Sequence, residues 1–300
     1  MASTRSMKRR VKSIGSTQHI TRAMNLVAAS KLQRASQKMN TVRPFHRETE
    51  RAVYEITRGI SELANPYFTP RQVKKRTFIV ISGDRGLCGG YNVNVCKLAY
   101  ETMNETLASV SLSDLNSMED SVIAVGMKAR DYFRKRRKSV IRSYSGISAM
   151  PFYEDAQEIA SFATGLFNTR DADEVWLVYT EFLTTISHLP TAIKLLPLDP
   201  AQRHGERVND SHNHTPLTID FEPNEEEFLS YIVPKYVETI MYGALAESAA
   251  CETASRMQSM DNATKNSAEL IRKLTLKYNR VRQDTITQEL IEIVSGASTL

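Results

Sequence analysis

Long apolar runs are missing from this sequence of 300 residues, and prolines and glycines are scarce over much of it. No run approaches the roughly 18 apolar residues that a membrane-spanning helix needs, so no transmembrane segment is predicted. The start, Met1–Arg10, has no apolar segment behind its charges and does not predict a secretory signal. The hydrophobic content of 41% nevertheless suffices for a folded core.

Cysteine is also rare. Cys88, Cys96 and Cys251 form an odd, scattered set without a Cys-x-x-Cys pair. Such a set is typical of a reducing compartment and argues against a disulfide framework or a zinc site. We interpret all three as small buried or half-buried apolar residues.

Signatures of catalysis and of cofactor binding are missing as well. The sequence contains no GxSxG nucleophile turn, no HExxH zinc helix and no GxxxxGK[ST] phosphate loop. His204, His212 and His214 fall in a polar tract without a supporting carboxylate or thiolate. We interpret that tract as a surface loop and expect no catalytic residue, no metal and no cofactor.

Proline is absent from Lys235 to Ser295, 61 consecutive residues with a single glycine, Gly243. At 1.5 Å per residue this stretch predicts one helix of roughly 90 Å, too long for a domain with one core to cover. A second proline-free stretch, Met1–Arg43, predicts a helix at the other end of the chain, which residues 45–63 can continue. We predict that the two helices pack on each other as a coiled coil.

Apolar residues recur at spacings of mostly three, four or seven in both predicted helices, which places them along one stripe of each helix. The N-terminal stripe consists of Val11, Ile14, Ile20, Met24, Val27, Leu32, Ala35, Met39 and Val42. The C-terminal stripe consists of Ile240, Leu245, Ala250, Ala254, Met257, Thr264, Ala268, Ile271, Leu274, Tyr278 and Val281.

The net charge of +5 conceals an asymmetry: residues 1–60 carry thirteen Lys/Arg against three Glu, and the other 240 residues sum to −5. Such a basic block binds nucleic acid, anionic lipid or an acidic protein surface, or forms one solvated helix face. The small and apolar residues within Ala23–Leu32 fit helix packing better than phosphate binding. A basic coiled-coil protein that binds nucleic acid stays as the alternative.

Between the terminal helices, short β-rich apolar runs alternate with helical patterns. Strands are predicted at 77–82, 121–125, 174–179 and 192–196, and helices at about 93–107, 127–136 and 153–167. This alternation predicts a mainly parallel sheet covered on both faces, in a Rossmann-like α/β domain. The predicted organisation is a helix at 1–62, the central α/β domain at 71–200, a loop and helix start at 201–230, and the second long helix at 231–300.

Glycines cluster in the turn after the first predicted strand, which contains Gly83, Asp84, Arg85, Gly86, Gly89 and Gly90. A glycine-rich turn before a helix can cradle phosphate. The spacing is neither GxxxxGK[ST] nor GxGxxG, however, so we interpret the segment as a tight turn with Asp84 and Arg85 as ion-pair or partner contacts. A nucleotide-using α/β enzyme built on residues 71–200 is the second alternative.

The C-terminal segment 282–300 ends in apolar turns, with polar side chains just before them. The apolar residues are Leu290, Ile291, Ile293, Val294 and Leu300. An apolar tip on an unshielded helix requires a partner cavity or sleeve.

Three separated segments carry a resemblance: the start MASTRSMKRRVKSIGSTQHITRAMNLVAASKL, the middle DRGLCGGYN and the end ITQELIEIVSGA. These segments occur in the same order along the gamma subunits of F-type ATP synthases, which the chain resembles over its whole length. The resemblance implies a non-catalytic subunit, the rotating central stalk that couples proton flow through a membrane ring to ATP synthesis. It also implies an antiparallel, asymmetric coiled coil through the centre of three alpha–beta pairs.

The resemblance also implies contacts, position by position. Arg282, Gln283 and Thr287 match positions that face the catch loops of the beta subunits, with Met24 nearby on the N-terminal helix. Residues 291–300 match the tip inside the apolar sleeve of the head. Residues 219–222, with Phe221 and Glu222, resemble the foot that meets the c-ring and the epsilon subunit. The implied partners are three alpha and three beta subunits, epsilon and the c-ring, with neither nucleic acid nor nucleotide bound directly.

Two positions depart from the family pattern. Lys265 stands where the family commonly has an acid, and Cys251 replaces a usual serine. The chain lacks the cysteine-containing insertion of the redox-regulated chloroplast version. Its start at Met1 favours a bacterial chain, peripheral on the cytoplasmic side of the cell membrane; the matrix side of the mitochondrial inner membrane is the alternative.

Overall fold

The computed structural model describes residues 4–59, 66–108, 118–198 and 225–297. Two long helices come from the chain ends, α1 over Thr4–Gly59 and α5 over Glu225–Ala297. Between them lie β1 Lys75–Ile81, α2 Tyr91–Ala108, β2 Glu119–Val125, α3 Met127–Lys135, β3 Ser139–Tyr144, α4 Tyr153–Asn168, β4 Glu174–Phe182 and β5 His188–Leu196. The residues predicted as a histidine-containing loop, His204, His212 and His214, lie outside the described residues, as do Phe221, Glu222 and Leu300.

The strands form one sheet in the order β3-β2-β1-β4-β5. The first four strands are parallel, and β5 pairs antiparallel with β4 as a hairpin. The predicted mainly parallel α/β arrangement is confirmed. The sequence patterns do not predict β3, because this edge strand is largely exposed and therefore lacks the continuous apolar run of a buried strand.

Helices cover both faces of the sheet, as predicted. Alternate residues of a strand point to opposite faces. Phe78 and Val80 of β1 are buried together with residues of α2 and α3. Ile79 and Ile81 of the same strand are buried together with residues of α4 and of the first part of α5. Parallel strands of this kind are buried on both sides and read as apolar runs, which is why β1, β2 and β4 could be found from the sequence.

The long helix α5 contains Pro234 in its interior. The sequence shows the helical period returning only after this proline, yet α5 begins at Glu225. A proline inside a helix costs about 3 kcal/mol, because one backbone hydrogen bond is lost and the ring crowds the preceding turn. Leu229 and Val233 before it and Val237 after it are buried against the sheet domain, each contributing roughly 1.5–3 kcal/mol. This packing offsets the proline.

Contacts divide the chain into two compact units, one of residues 1–30 and 256–300 and the other of residues 31–255. In the first unit, α1 and α5 pack antiparallel. The hydroxyl oxygens of Thr21 and Thr264 lie 2.8 Å apart, and Asn25 Nδ2 donates to the carbonyl of Met257 at 2.9 Å. Numbering rises along one helix as it falls along the other, so the predicted coiled coil of the terminal helices is confirmed.

The seam of this coil follows a regular heptad in both helices. On α1 the buried and half-buried positions at spacings of four and three are Met7, Val11, Ile14, Gln18, Thr21, Asn25 and Ala28. On α5 they are Met257, Met260, Thr264, Ser267, Ile271, Leu274, Tyr278 and Val281. A repeat of 3.5 residues is the period of a left-handed coiled coil.

The predicted stripe is wrong at three positions. Ile20 and Val27 are 60% and 57% exposed, and Ala268 is exposed as well. The prediction followed apolar side chains, whereas polar Thr21 and Asn25 occupy the seam of α1 and bond across it. Polar seam residues of this kind fix the register of two helices at some cost in stability.

Candidate functional site

The end of α5 is an exposed helix with an apolar surface. From Arg282 to Ala297 every side chain that the structure describes is exposed. Ile291, Ile293 and Val294 are 60%, 67% and 67% exposed. A row of exposed aliphatic side chains on one helix end is typical of an interaction site.

The residues predicted to contact beta subunits lie just before this end. Arg282, Gln283 and Thr287 are all exposed. Gln283 and Thr287 stand one turn apart on the same face, and the Thr287 hydroxyl donates to the Gln283 carbonyl at 2.9 Å. Arg282 points about 100° around the helix from Gln283. The three side chains therefore span about 140° of the circumference of one short section of α5.

Met24 lies at a different level of the coil. It is half-buried beside Thr21 and Asn25, which bond to Thr264 and Met257 of α5. Along α5, the distance from this level to Arg282 is at least about 27 Å, at 1.5 Å per residue. The predicted beta contacts thus form two separate groups, one around Met24 and one around Arg282. Next to Met24, the apolar side chains of Ile20, Leu26 and Val27 are exposed.

In the second unit, Asp84 of the glycine-rich turn connects three loops. Its Oδ1 accepts a hydrogen bond from the N–H of Met127, the first residue of α3, at 3.0 Å. Its Oδ2 accepts from the Gly146 N–H at 2.9 Å and from the Ser148 hydroxyl at 3.1 Å. A carboxylate at a helix N-terminus is further stabilised by the helix dipole. Asp84 therefore holds the loops at the carboxyl edge of the sheet together, while the side chain of Arg85 is exposed.

The backbone at the start of the turn is bonded within the domain. The Gly83 N–H donates to Asn92 Oδ1 at 2.7 Å, and the Asp84 N–H donates to the Ser148 hydroxyl at 3.3 Å. A phosphate cradle instead directs successive backbone N–H groups at the anion. The geometry favours the interpretation as a tight strand-to-helix turn.

The glycines of the turn differ in backbone conformation and in the space that a Cβ would find. Gly89 has φ 56°, in the left-handed region that glycine adopts without steric cost. A Cβ on Gly83 would lie 2.8 Å from Cδ of Glu252, so glycine lets α5 approach the turn. A Cβ on Gly90 would lie 3.0 Å from Asn94 Nδ2, whereas Gly86 faces open space.

The turn and α5 share a small buried cluster. Cys88 of the turn and Tyr91, the first residue of α2, are buried together with Cys251 of α5. Burial, followed by the charge of Glu252, raises the pKa of Tyr91, so this phenol stays protonated. The glycine-rich segment thus forms part of the surface of the central domain against which α5 packs.

Both departures from the family pattern have simple local environments. Lys265 is exposed and forms an ion pair with Asp261 one turn away at 2.6 Å, a surface contact that contributes about 0–1 kcal/mol. The Cys251 thiol donates to the Thr180 carbonyl at 3.5 Å, a contact that a serine hydroxyl can also make. All three cysteines are buried free thiols, so their interpretation as buried apolar residues is confirmed.

Within the four described ranges, no cluster of three or more His, Cys, Asp or Glu side chains could hold a metal ion. None of the helices in those ranges is long and apolar enough to cross a membrane.

Comparison with known proteins places the chain in a family. Residues 3–300 match the family model described as ATP synthase. The chain is 41% identical over 294 residues to the ATP synthase gamma chain of Alkaliphilus metalliredigens, covering 98% of this chain and 97% of that relative. It is 40% identical over 302 residues to the ATP synthase gamma chain of Lachnoclostridium phytofermentans, covering both chains completely. The chain belongs to the ATP synthase gamma chain family. It is a gamma subunit, a non-catalytic rotor component of a complex that links proton transport to ATP synthesis.

Solved structures share the fold of this gamma chain. A chain of the Euglena gracilis mitochondrial ATP synthase matches with a TM-score of 0.67 at 18% identity, covering 99% of this chain and 94% of that one. A chain from the central stalk and c-ring of the Tetrahymena thermophila mitochondrial ATP synthase matches with a TM-score of 0.56 at 23% identity, covering 81% and 99%. At these identities the likeness establishes the architecture of two long terminal helices and a central α/β domain.

Proposed function

We propose that this gamma chain transmits torque between a membrane c-ring and a head of three alpha and three beta subunits. In this proposal the ring and the epsilon subunit attach at the foot segment that includes Phe221 and Glu222. The head surrounds the coil of α1 and α5. The complex lies in a bacterial cell membrane, with this chain on the cytoplasmic side and peripheral to the bilayer.

The exposed apolar end of α5 carries the proposal. Ile291, Ile293 and Val294 each stand to gain roughly 1.5–3 kcal/mol on transfer from water into an apolar sleeve. Their exposed fractions of 60–67% leave most of that free energy available to a partner. A sleeve of apolar side chains holds a helix without directional bonds, so the helix can turn inside it.

Polar side chains just before the tip contact the beta subunits and bias their conformation. Arg282, Gln283 and Thr287 occupy part of the helix circumference, so each beta subunit meets a different surface as the helix turns. Such differential interaction shifts otherwise identical sites toward different conformations, and hence toward different nucleotide affinities. The basic α1, with its exposed apolar side chains Ile20 and Val27, faces acidic parts of the beta subunits in the same way.

Replacing Arg282 and Gln283 together by alanine tests the contact. We expect proton-driven ATP synthesis by the assembled complex to fall at least tenfold, since two hydrogen bonds to partner groups contribute on the order of 1.5–3 kcal/mol and about 1.4 kcal/mol corresponds to a factor of ten. Both side chains are exposed, so the stability of the isolated chain should stay within about 0.5 kcal/mol of the wild type.

The matched control replaces Arg134 and Gln157, an exposed pair of the same residue types in the central domain. This double variant should synthesise ATP at the wild-type rate. Equal synthesis by the Arg282/Gln283 variant and the control would remove the two residues from the contact surface.

A further inference from the structure

Both backbone groups of Phe182, the last residue of β4, are held by side chains of the long helices. Arg43 Nη2 of α1 donates to the Phe182 carbonyl at 3.0 Å. The Phe182 N–H donates to Glu247 Oε2 of α5 at 3.4 Å. Arg43 Nε and Glu247 Oε1 are themselves 3.4 Å apart. One residue of the sheet is thus bonded to both helices at once.

Two residues earlier in β4, both backbone groups of Thr180 are held by side chains of α5 alone. The Thr180 N–H donates to the Ser248 hydroxyl at 3.5 Å, and the Thr180 carbonyl accepts from the Cys251 thiol at 3.5 Å. The pairing of β4 with β1 ends at Val178. Beyond that point the free edge of β4 has no strand beside it, and side chains of α1 and α5 bond to its backbone in place of one.

These contacts are shielded from solvent. The side chains of Arg43 and Glu247 are only 29% and 11% exposed. Burial raises the pKa of Glu247, and the charge of Arg43 and the Phe182 N–H oppose that rise. Removing either partner therefore leaves the other charge poorly solvated, unlike the loss of a surface ion pair.

We propose that Arg43, Glu247 and the end of β4 form a clamp that fixes the long helices to the sheet against rotation. The inference rests on the torque-transmitting function proposed above. Apolar packing between helix and sheet is non-directional, so it resists separation more than sliding. Hydrogen bonds, by contrast, weaken steeply when their angle changes. The four bonds along the edge of β4 therefore resist turning of α1 and α5 relative to the sheet. Arg43 and Glu247 are positioning residues for rotary coupling.

Amide hydrogen exchange on the isolated full-length chain tests the clamp itself. In Glu247→Ala, the Phe182 amide should exchange about tenfold faster, the factor that corresponds to losing about 1.4 kcal/mol of protection. Glu247→Gln keeps an oxygen acceptor and should restore much of the protection. Glu158→Ala, which breaks the exposed pair with Arg142, is the control and should leave the Phe182 amide unchanged. An unchanged rate in Glu247→Ala overturns the proposal.

The assembled complex in sealed vesicles tests the function of the clamp. Glu247→Ala should keep ATP hydrolysis, since the coil still turns in the head, but should lose proton pumping per ATP. Glu247→Gln should recover proton pumping. Arg43→Lys keeps the positive charge of the partner residue and should reduce pumping less than Glu247→Ala does. Pumping and hydrolysis that stay in the wild-type ratio in both Glu247→Ala and Arg43→Lys overturn the proposal. If the wild-type chain does not assemble with alpha and beta subunits, the proposed function fails, whereas the exchange result still decides whether the clamp exists.

Discussion

Gly126→Ala is expected to lower the free energy of unfolding of the chain by roughly 3–5 kcal/mol. Gly126 connects β2 to α3 with φ 93° and ψ 143°, a conformation that costs L-residues about 1–3 kcal/mol. A Cβ there would lie 2.2 Å from the Ser82 carbonyl oxygen and 2.8 Å from the Ser82 hydroxyl. Because the nearest atom belongs to the backbone directly after β1, a side-chain rotation cannot relieve the overlap.

Moving the backbone at this point breaks further bonds. The Gly126 N–H donates to the Tyr144 carbonyl at 2.8 Å, which holds β3. The Ser82 hydroxyl accepts from the Ala129 N–H at 2.8 Å, which anchors the first turn of α3. The overlap therefore disturbs three elements on the carboxyl edge of the sheet, and not one loop alone.

Urea denaturation followed by circular dichroism measures the effect. Gly165→Ala in α4 is the control, because a Cβ there meets nothing within 4 Å and glycine inside a helix is less stable than alanine by roughly 0.5–1 kcal/mol. The two substitutions should thus act in opposite directions. Equal midpoints for the two variants would contradict the steric account.

Asp120→Ala is expected to lower the free energy of unfolding of the chain by about 3–5 kcal/mol. The guanidinium of Arg76 in β1 is fully buried, and its Nε and Nη2 lie 2.9 and 2.7 Å from Asp120 Oδ1. Lys138 Nζ lies 3.1 Å from Oδ2 of the same carboxylate. One carboxylate thus forms ion pairs with two cations, and its loss leaves the arginine charged inside the core without a counter-ion.

The same denaturation assay distinguishes this account from a general sensitivity to lost acids. Asp131→Ala, which removes the half-exposed partner of Arg130, should change stability by no more than about 0.5 kcal/mol. Replacing Arg76 by methionine in the Asp120→Ala background should recover stability, because a buried ion pair can be exchanged for apolar packing. A double variant less stable than Asp120→Ala would contradict the account.

The sequence predicts the architecture well where one pattern dominates. The absence of proline from residues 235–295 and 1–43 predicts the long helices, and apolar runs predict four strands of the sheet. β3 is missed because it is an exposed edge strand that carries Arg142. α5 begins at Glu225, inside the segment 201–230 that is predicted to hold the helix start, and burial against the sheet outweighs the cost of Pro234. The exposure of β3 and the burial around Pro234 both come from tertiary packing, which local patterns do not contain.

The candidate site follows less completely from the sequence. The aliphatic run at the end of α5 is visible in the sequence, and its side chains are exposed in the structure as far as Val294, while its place in a sleeve stays a prediction. Arg282, Gln283 and Thr287 were singled out by resemblance alone, and their contacts stay a prediction. The clamp could not be foreseen, because Arg43, Phe182 and Glu247 are far apart in sequence and follow no spacing rule. Only the folded chain brings them together.

Rotation is the central claim, and a single-molecule measurement tests it most directly. The native cysteines are buried, so Lys97→Cys on α2, whose side chain is 66% exposed in the wild type, gives one reactive thiol for a probe. With the alpha–beta head fixed to a surface and ATP supplied, the probe should turn in one direction in steps of a third of a turn. Sustained ATP hydrolysis by the same complexes with a stationary probe would contradict the claim.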